Sequence, residues 1–282
     1  MIGSGTSHRA VVAVTGGAHG IGQAIARRFA ASGAQVAIGD TDRAAAREAA
    51  EEPGLHAYGL DVTDAESFAD FLDAVRQDLG PVDVLVNNAG LMWVGSFEEE
   101  PESAARAQLS VNLLGVINGI KAAAPAMRRA RRGHLITVAS AASILPTPGE
   151  ATYAATKHGV LGYLKAVRTE LRGSGVEVTA VMPAVVDTTL AAGTGTGSAP
   201  LLQPGDVARA VVAAVDRPRF EITVPAYIGP LTRMVELLPQ AMRDRLFAAM
   251  VPDQVAEVRA EARAGYEGSF TIARPPRTGV GT

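Results

Sequence analysis

Apolar positions along residues 9–224 follow two alternating rhythms: short dense runs, and longer stretches with one apolar residue every three or four. The first run, 9–14, closes in a glycine-containing turn at 15–22. Ile21, Ile25 and Phe29 then repeat at four-residue steps, the buried stripe of a helix, and Gly33 marks its end. The same reading gives strands at 35–38, 55–60, 82–86, 134–139, 176–182 and 220–224. Helices fall at 42–52, from 63 to about 80, and at 101–132, 152–172 and 204–215. Thr63-Asp64-Ala65-Glu66 has the capping-box pattern that opens a helix, and Gly80-Pro81 closes it. Seven β-rich runs separated by helices predict an α/β fold. The architecture expected is a doubly wound parallel seven-stranded sheet of the Rossmann type, with helices on both faces and right-handed crossovers.

Two regions depart from the alternation. Residues 191–200 (AAGTGTGSAP) are small and glycine-rich and read as a mobile loop. Residues 226–267 read as a helical extension packed on a single catalytic domain of residues 1–225, and the Pro/Gly-rich stretch 268–282 as a disordered tail.

Composition narrows the classes. The chain has 282 residues, 48% of them hydrophobic, which suits one large domain with a substantial core. A net charge of −3 argues against nucleic acid as a partner. The cluster Arg128, Arg129, Arg131 and Arg132 sits late in a predicted helix, where cations complement the helix dipole. There is no cysteine, so disulfides, thiol catalysis and thiolate metal sites are excluded, and no metal is expected. Residues 1–8 lack the apolar core of a secretory signal, and no run of about 18 apolar residues is present. A cytoplasmic protein without a transmembrane helix is therefore expected.

Thr15-Gly16-Gly17-Ala18-His19-Gly20-Ile21-Gly22 lies between the first strand and the first helix. Glycines there allow a tight turn and let a pyrophosphate approach the helix N-terminus, whose free N–H groups and dipole favour an anion. Tyr153 and Lys157, four apart in a predicted helix, project from one face. A phenol has a pKa of about 10, too high for efficient proton exchange near neutrality, and a nearby ammonium favours its ionised form. Tyr153 can then act as general acid or base on a carbonyl or alcohol oxygen. Ser140, at the carboxyl end of the fifth strand, can hold that oxygen, because ligands in such sheets bind at this edge.

These motifs, in this order, resemble the short-chain dehydrogenase/reductase family. The resemblance covers about residues 9–224: Thr-Gly-x-x-x-Gly-x-Gly at 15–22, Asp61-Val62, Asn87-Asn88-Ala89-Gly90, Asn112, Ser140 and Tyr153-x-x-x-Lys157. It implies an NAD(P)-dependent oxidoreductase. It also implies that Gly16, His19, Gly20, Ile21 and Gly22 hold the cofactor phosphates, that Asp61 and Val62 meet adenine, and that Asn88, Ala89 and Gly90 line the cofactor. Asn87 is expected as a link between strands. Asn112 is implied to hold a water that relays protons from Lys157, with a bond to its own helix as the alternative. Family spacing favours Ser140 over Ser143. After the sixth strand the family reads Pro-Gly and then Thr four residues on. Here the segment is Pro183-Ala184-Val185-Val186-Asp187-Thr188, and Ala for Gly narrows the backbone there. Pro183, Val186 and Thr188 remain the expected nicotinamide contacts.

Asp40 ends the second strand, where a carboxylate accepts hydrogen bonds from a ribose and repels a 2′-phosphate, so NAD is expected over NADP. Its alternative role is to cap the following helix, for which Asp42 is better placed. Met92, Trp93, Val94, Ile144, Leu145 and Leu190 are the expected substrate-facing positions. They are apolar and lack a fixed cation, which favours a hydrophobic secondary alcohol or ketone. The apolar stripe within residues 227–250 has three readings: packing on the domain or a neighbouring subunit, a cap over the cleft, or contact with a membrane surface. The family resemblance further implies a homodimer or homotetramer. The alternatives are an NADP(H)-dependent carbonyl reductase and a non-catalytic dinucleotide-binding protein on the same fold. Proteins of the second kind typically lose Tyr or Lys of the active pair, which this chain retains, and no additional acid/base residue points to an epimerase or dehydratase.

Overall fold

The computed structural model describes residues 9–271. Seven strands form one parallel sheet: β1 (Val11–Thr15), β2 (Gln35–Asp40), β3 (Leu55–Gly59), β4 (Val84–Asn87), β5 (Gly133–Val138), β6 (Val176–Pro183) and β7 (Glu221–Val224). They lie in the order β3-β2-β1-β4-β5-β6-β7. Both faces of the sheet are apolar, so its strands read as unbroken runs. In β1, Val11 and Ala13 belong to one core and Val12 and Val14 to the other.

One face is covered by α1 (Gly20–Ala31), α2 (Arg43–Ala49) and α7 (Pro204–Asp216) through Ile25, Phe29, Ala46, Val207 and Val211. The other is covered by α3 (Ala65–Asp78), α5 (Gly115–Ala130) and α6 (Ala151–Glu170) through Phe68, Phe71, Ile120, Val160 and Leu164. Asp42 caps α2, accepting from the amides of Ala44 and Ala45. Asp64, rather than Thr63, caps α3, because Thr63 is bonded back to Asp61.

The helix expected over 101–132 is α4 (Glu102–Gln108), a π-helical turn (Leu109–Leu114) and α5 in succession. Residues 102–130 are, by length and composition, apolar enough to cross a bilayer, which a search for unbroken apolar runs misses. The fold uses that apolarity to cover the sheet, through Val116, Ile120, Ala123 and Met127. Arg131 ends α5 in the left-handed conformation, and Arg132 pairs with Asp83 at 3.4 Å.

Beyond β7 the chain forms α8 (Ile228–Glu236), α9 (Gln240–Met250), α10 (Gln254–Glu257) and α11 (Ala260–Thr271). The helix thus runs through residues 268–271, where a tail was expected, and residues 272–282 and 1–8 lie outside the described residues. The loop at 191–200, expected to be mobile, is tied down by this extension. Gln254, itself buried, accepts from Gly195 N at 2.8 Å and donates to Gly195 O at 2.9 Å. Ser198 donates through its amide to Met250 O, and Arg259 N to Gly193 O. Gly195 lies so close to Glu257 that a Cβ there would stand 1.8 Å from its carboxylate. The glycines of this loop permit close docking.

His134 is buried between β5 and β6, with its Nε2 2.8 Å from the Thr179 hydroxyl, and burial lowers it from 6.5 to about 4. The folded state thus resists protonation that the unfolded chain accepts, so stability is lost as pH falls from 6.5 through 4, by up to about 3 kcal/mol. In paired thermal melts across this window, His134→Gln is expected to lose less stability than the wild type. Parallel curves would refute the assignment.

Candidate active site

A cleft of about 660 Å³ opens at the carboxyl edge of the sheet. It starts where the loops after β1 and β4 part, one leading to each face, which is where doubly wound sheets bind ligands. Thr15 staples these loops together: its hydroxyl accepts from Asn88 N at 3.0 Å and Ala89 N at 3.1 Å. The Asn88 amide donates to the carbonyls of Thr15 and Gly16, both at 3.0 Å. Asn88, not Asn87, is therefore the link between strands. Asn87 packs against Gly119 on α5, and its buried amide has no hydrogen-bond partner.

Gly16, His19, Gly20 and Ile21 line the phosphate end of the cleft. Helix α1 begins after His19 without a side-chain cap, leaving its first amides available to an anion. Gly22 does not line the cleft. A Cβ on it would lie 2.1 Å from Gly16 O and 2.5 Å from the Asn88 amide, so its bareness lets the turn close. A dinucleotide pyrophosphate fits this cradle.

Asp40 stands at the tip of β2, its carboxylate accepting from Ala18 N at 3.2 Å and Asp42 N at 3.1 Å. With Asp42 capping α2, Asp40 is free of that task. Asp61 and Val62 line the same end, as do Ala89 and Gly90. Arg43 lies along Gly59 instead. Among the described lining residues Lys157 is the only lysine or arginine.

Ser140, Tyr153 and Lys157 meet at the middle of the cleft. Ser140 follows β5 and its hydroxyl accepts from Ala142 N at 3.1 Å. The Lys157 ammonium donates to Val138 O at 3.3 Å and lies 5.4 Å from the centre of the Tyr153 ring. Burial lowers Lys157 to about 8. The Tyr153 phenol, by contrast, is pushed above its ordinary value, first by burial and then by the charge of Glu150. Ser140 pulls it back, and Tyr266 adds a smaller upward push. The lowering expected beside Lys157 is thus not what the buried site gives; desolvation dominates, and Ser140 is the group that opposes it.

Asn112 does not line the cleft. Its Oδ1 accepts from Leu91 N at 2.9 Å, and its Nδ2 donates to Leu91 O at 2.8 Å and to Thr156 Oγ1 at 3.2 Å. It does not bond its own helix; it holds the loop after β4 through Leu91, which itself lines the cleft. Pro183, Val186 and Thr188 also line the cleft. Arg131 is the only described non-glycine residue with positive φ, so Ala184 fits an ordinary backbone conformation.

Of the expected substrate-facing positions, Met92, Leu145 and Leu190 line the cleft. Trp93 turns onto Gly95, Ile144 packs into the sheet core, and Val94 sits in a small cluster with Met92, Ala142 and Tyr153. The extension completes this end: Tyr227, Ile228, Leu231, Met250, Gln254 and Tyr266 all line it.

Arg263 of α11, only 1% exposed, joins both walls. It donates to Met92 O at 2.7 Å, Leu190 O at 2.9 Å and Ala192 O at 3.0 Å, and pairs with Glu267 at 2.6 Å. Glu267 also accepts from Val94 N, and the Tyr266 hydroxyl from Met92 N, both at 3.2 Å. Sequence reasoning missed all three, because an Arg and a Glu four apart resemble an ordinary solvated pair. It also missed Glu150, which reads as a helix-start acid but makes no capping bond. The buried Glu150 carboxyl faces the cleft, and burial raises it from 4.5 to about 7 against the opposing effects of Thr147 and Arg263.

The sequence model of the short chain dehydrogenase family matches residues 10–198. The probable oxidoreductase EphD of Mycobacterium tuberculosis is 36% identical over 191 residues, 66% of this chain but only 32% of that protein's length. The 3-ketoacyl-(acyl-carrier-protein) reductase of Brucella melitensis complexed with NADH superposes with a TM-score of 0.70 at 27% identity, covering 77% of this chain and 98% of that one. The alcohol dehydrogenase of Thermococcus sibiricus complexed with 5-hydroxy-NADP gives 0.67 at 30%, covering 76% and 95%.

Because the folded pKa of Glu150 is raised, its stability contribution is complete below 4.5 and lost as pH rises through 7, by up to about 3 kcal/mol. Glu150→Gln is expected to raise the melting temperature at pH 8 and leave it nearly unchanged at pH 4.5. An equal shift at both pH values would reject buried ionisation.

Proposed function

The chain belongs to the short-chain dehydrogenase/reductase family, and on that premise we propose that it is an NAD(H)-dependent oxidoreductase interconverting a largely hydrophobic secondary alcohol and its ketone. The observation that carries this reading is one cleft with the uncapped α1 N-terminus and Asp40 at one end and Ser140, Tyr153 and Lys157 at its middle. When bound, the nicotinamide supplies or takes the hydride, and its oxidised form adds a positive charge that favours the Tyr153 phenolate.

The residues of this chain do the rest. Ser140 holds the substrate oxygen beside Tyr153, whose phenol gives that oxygen a proton in reduction and receives one in oxidation. Lys157 is fixed by Val138 O and favours the charged phenol at the moment of transfer. Asn112 acts at one remove, by setting the path of the loop through Leu91. Met92, Leu145, Leu190 and Leu231 exclude water and favour an apolar substrate.

The preference for NAD rests on charge. A carboxylate about 4 Å from a 2′-phosphate is repelled by about 4 kcal/mol per unit charge at an effective dielectric constant of 20. No lysine or arginine among the described residues lines the cleft at Asp40 to offset it. We further propose a homodimer or homotetramer joined through α5 and α6, where Lys121, Ala124, Tyr163 and Val167 line a surface groove.

Tyr153→Phe is expected to lower turnover of a secondary alcohol by about 10²–10⁴-fold while NADH affinity stays within a few-fold. Absorbance of the reduced nicotinamide reads the first and fluorescence titration the second. Full activity in this variant would defeat the mechanism. Asp40→Arg is expected to move the NAD/NADP ratio of kcat/KM by at least about tenfold toward NADP; an unmoved ratio would reduce Asp40 to a turn residue.

A further inference from the structure

Glu150 is the last residue before α6, yet its side chain does not cap that helix. It is only 7% exposed, and its carboxyl lines the cleft beside Thr147, Leu145 and Tyr153. Its backbone carbonyl accepts from Ala154 N at 2.7 Å, which anchors it one turn ahead of Tyr153. Met92, Leu190 and Leu231, which line the same cleft, offer it no polar side chain. Of the polar lining residues, Gln254 is engaged with Gly195 and the Tyr266 hydroxyl with Met92 N. Burying a carboxyl in such company is costly unless a donor meets it. The charge of Arg263 relieves part of that cost, while the nearby Thr147 hydroxyl makes no hydrogen bond of ordinary geometry. A carboxylate has two acceptor oxygens with about four lone-pair sites, so capacity remains on the cleft side.

From this placement we propose that Glu150 is a specificity-determining residue that accepts a hydrogen bond from a second hydroxyl on the substrate. The enzyme then prefers an apolar diol, or the hydroxyketone formed from it, to the matching monohydric alcohol. Residues three apart at the start of a helix have Cβ atoms about 5–6 Å apart. A substrate oxygen at Tyr153 and a second one or two carbons away can therefore meet both side chains. The reacting carbinol still loses its hydride to the cofactor and its proton to Tyr153; the second hydroxyl stays intact and only binds. A carboxylate there also repels anionic substrates, consistent with the apolar walls. Loss of the acceptor is felt as a change in the ratio of two substrates, because a site built around a buried polar group discriminates against an analogue that leaves it unpaired.

The inference rests on the alcohol-oxidising reading above, and the test separates the two. Three matched pairs are assayed with the full chain and NAD: cyclohexanol with cyclohexane-1,2-diol, 2-butanol with butane-2,3-diol, and 1-phenylethanol with 1-phenylethane-1,2-diol. The wild type is expected to favour the diol in kcat/KM by roughly tenfold or more in at least two pairs. Glu150→Leu brings that ratio to about one. Glu150→Gln, which keeps the shape and one acceptor oxygen, lowers it by about threefold or more and serves as the deciding variant if the leucine protein does not fold. Fewer than two pairs with that preference in the wild type, or a preference that survives in the variants that fold, overturns the role of Glu150 while the oxidoreductase reading stands. Absence of turnover with all six alcohols, using NAD or NADP, overturns the oxidoreductase reading and this inference with it.

Discussion

A parallel sheet with helices on both faces leaves only its edges and ends open, and everything chemical in this protein is arranged around one such end. The chain leaves β1 toward the face covered by α1 and leaves β4 toward the face covered by α5. The two loops must part between these neighbouring strands, and the parting is the floor of the cleft. Thr15 and Asn88 hold the gap at a fixed width by bonding across it. The phosphate cradle, Asp40, and the Ser140–Tyr153–Lys157 group take their places from that floor.

The two ends of the cleft are built on different physical terms. At the cofactor end, local backbone geometry suffices: an uncapped helix, bare glycines and one strand-tip carboxylate, all close in sequence. At the substrate end, three distant segments must be brought together, and a buried cation does it. A guanidinium with 1% exposure must have its donors satisfied, and Arg263 finds partners in Met92, Leu190, Ala192 and Glu267. Gln254 binds Gly195 in the same manner. The extension is thus part of the cleft wall, and the glycine-rich loop is held against it.

Desolvation sets the protonation of the centre. Burial lowers Lys157, raises Tyr153 and raises Glu150. All three are pushed toward their neutral forms, Lys157 only to about 8, and Ser140 and Arg263 of this chain oppose the push on Tyr153 and Glu150. A phenol held high is ready to donate, and a charge introduced beside it makes it a base. A carboxyl near neutrality among apolar side chains is the kind of group that active sites retain at the expense of stability.

Much of this was legible in the residues themselves. Dense apolar runs carried the strands, since a sheet buried on both faces permits only such runs, and the period-3.6 pattern carried the helices. The ordered motifs at 15–22, 87–90, 140 and 153–157 carried the cofactor cradle and the central group, because their spacing is local to single turns. What failed was whatever depended on distance. Asn88 lines the cleft as expected and also takes the linking role expected of Asn87, because only the sheet register decides which amide faces Thr15. Asn112 proved to hold Leu91, 21 residues away. Trp93 and Ile144 turned from the cleft, and the loop at 191–200 is pinned by Gln254 and Arg263. Arg263 meets Met92 across 171 residues of chain, and no periodicity encodes that meeting. The sequence by itself determined the sheet, the phosphate cradle and the reacting group, since each rests on neighbours along the chain. Tertiary structure alone decided the substrate end and the burial of Glu150, since desolvation is a property of what packs around a residue.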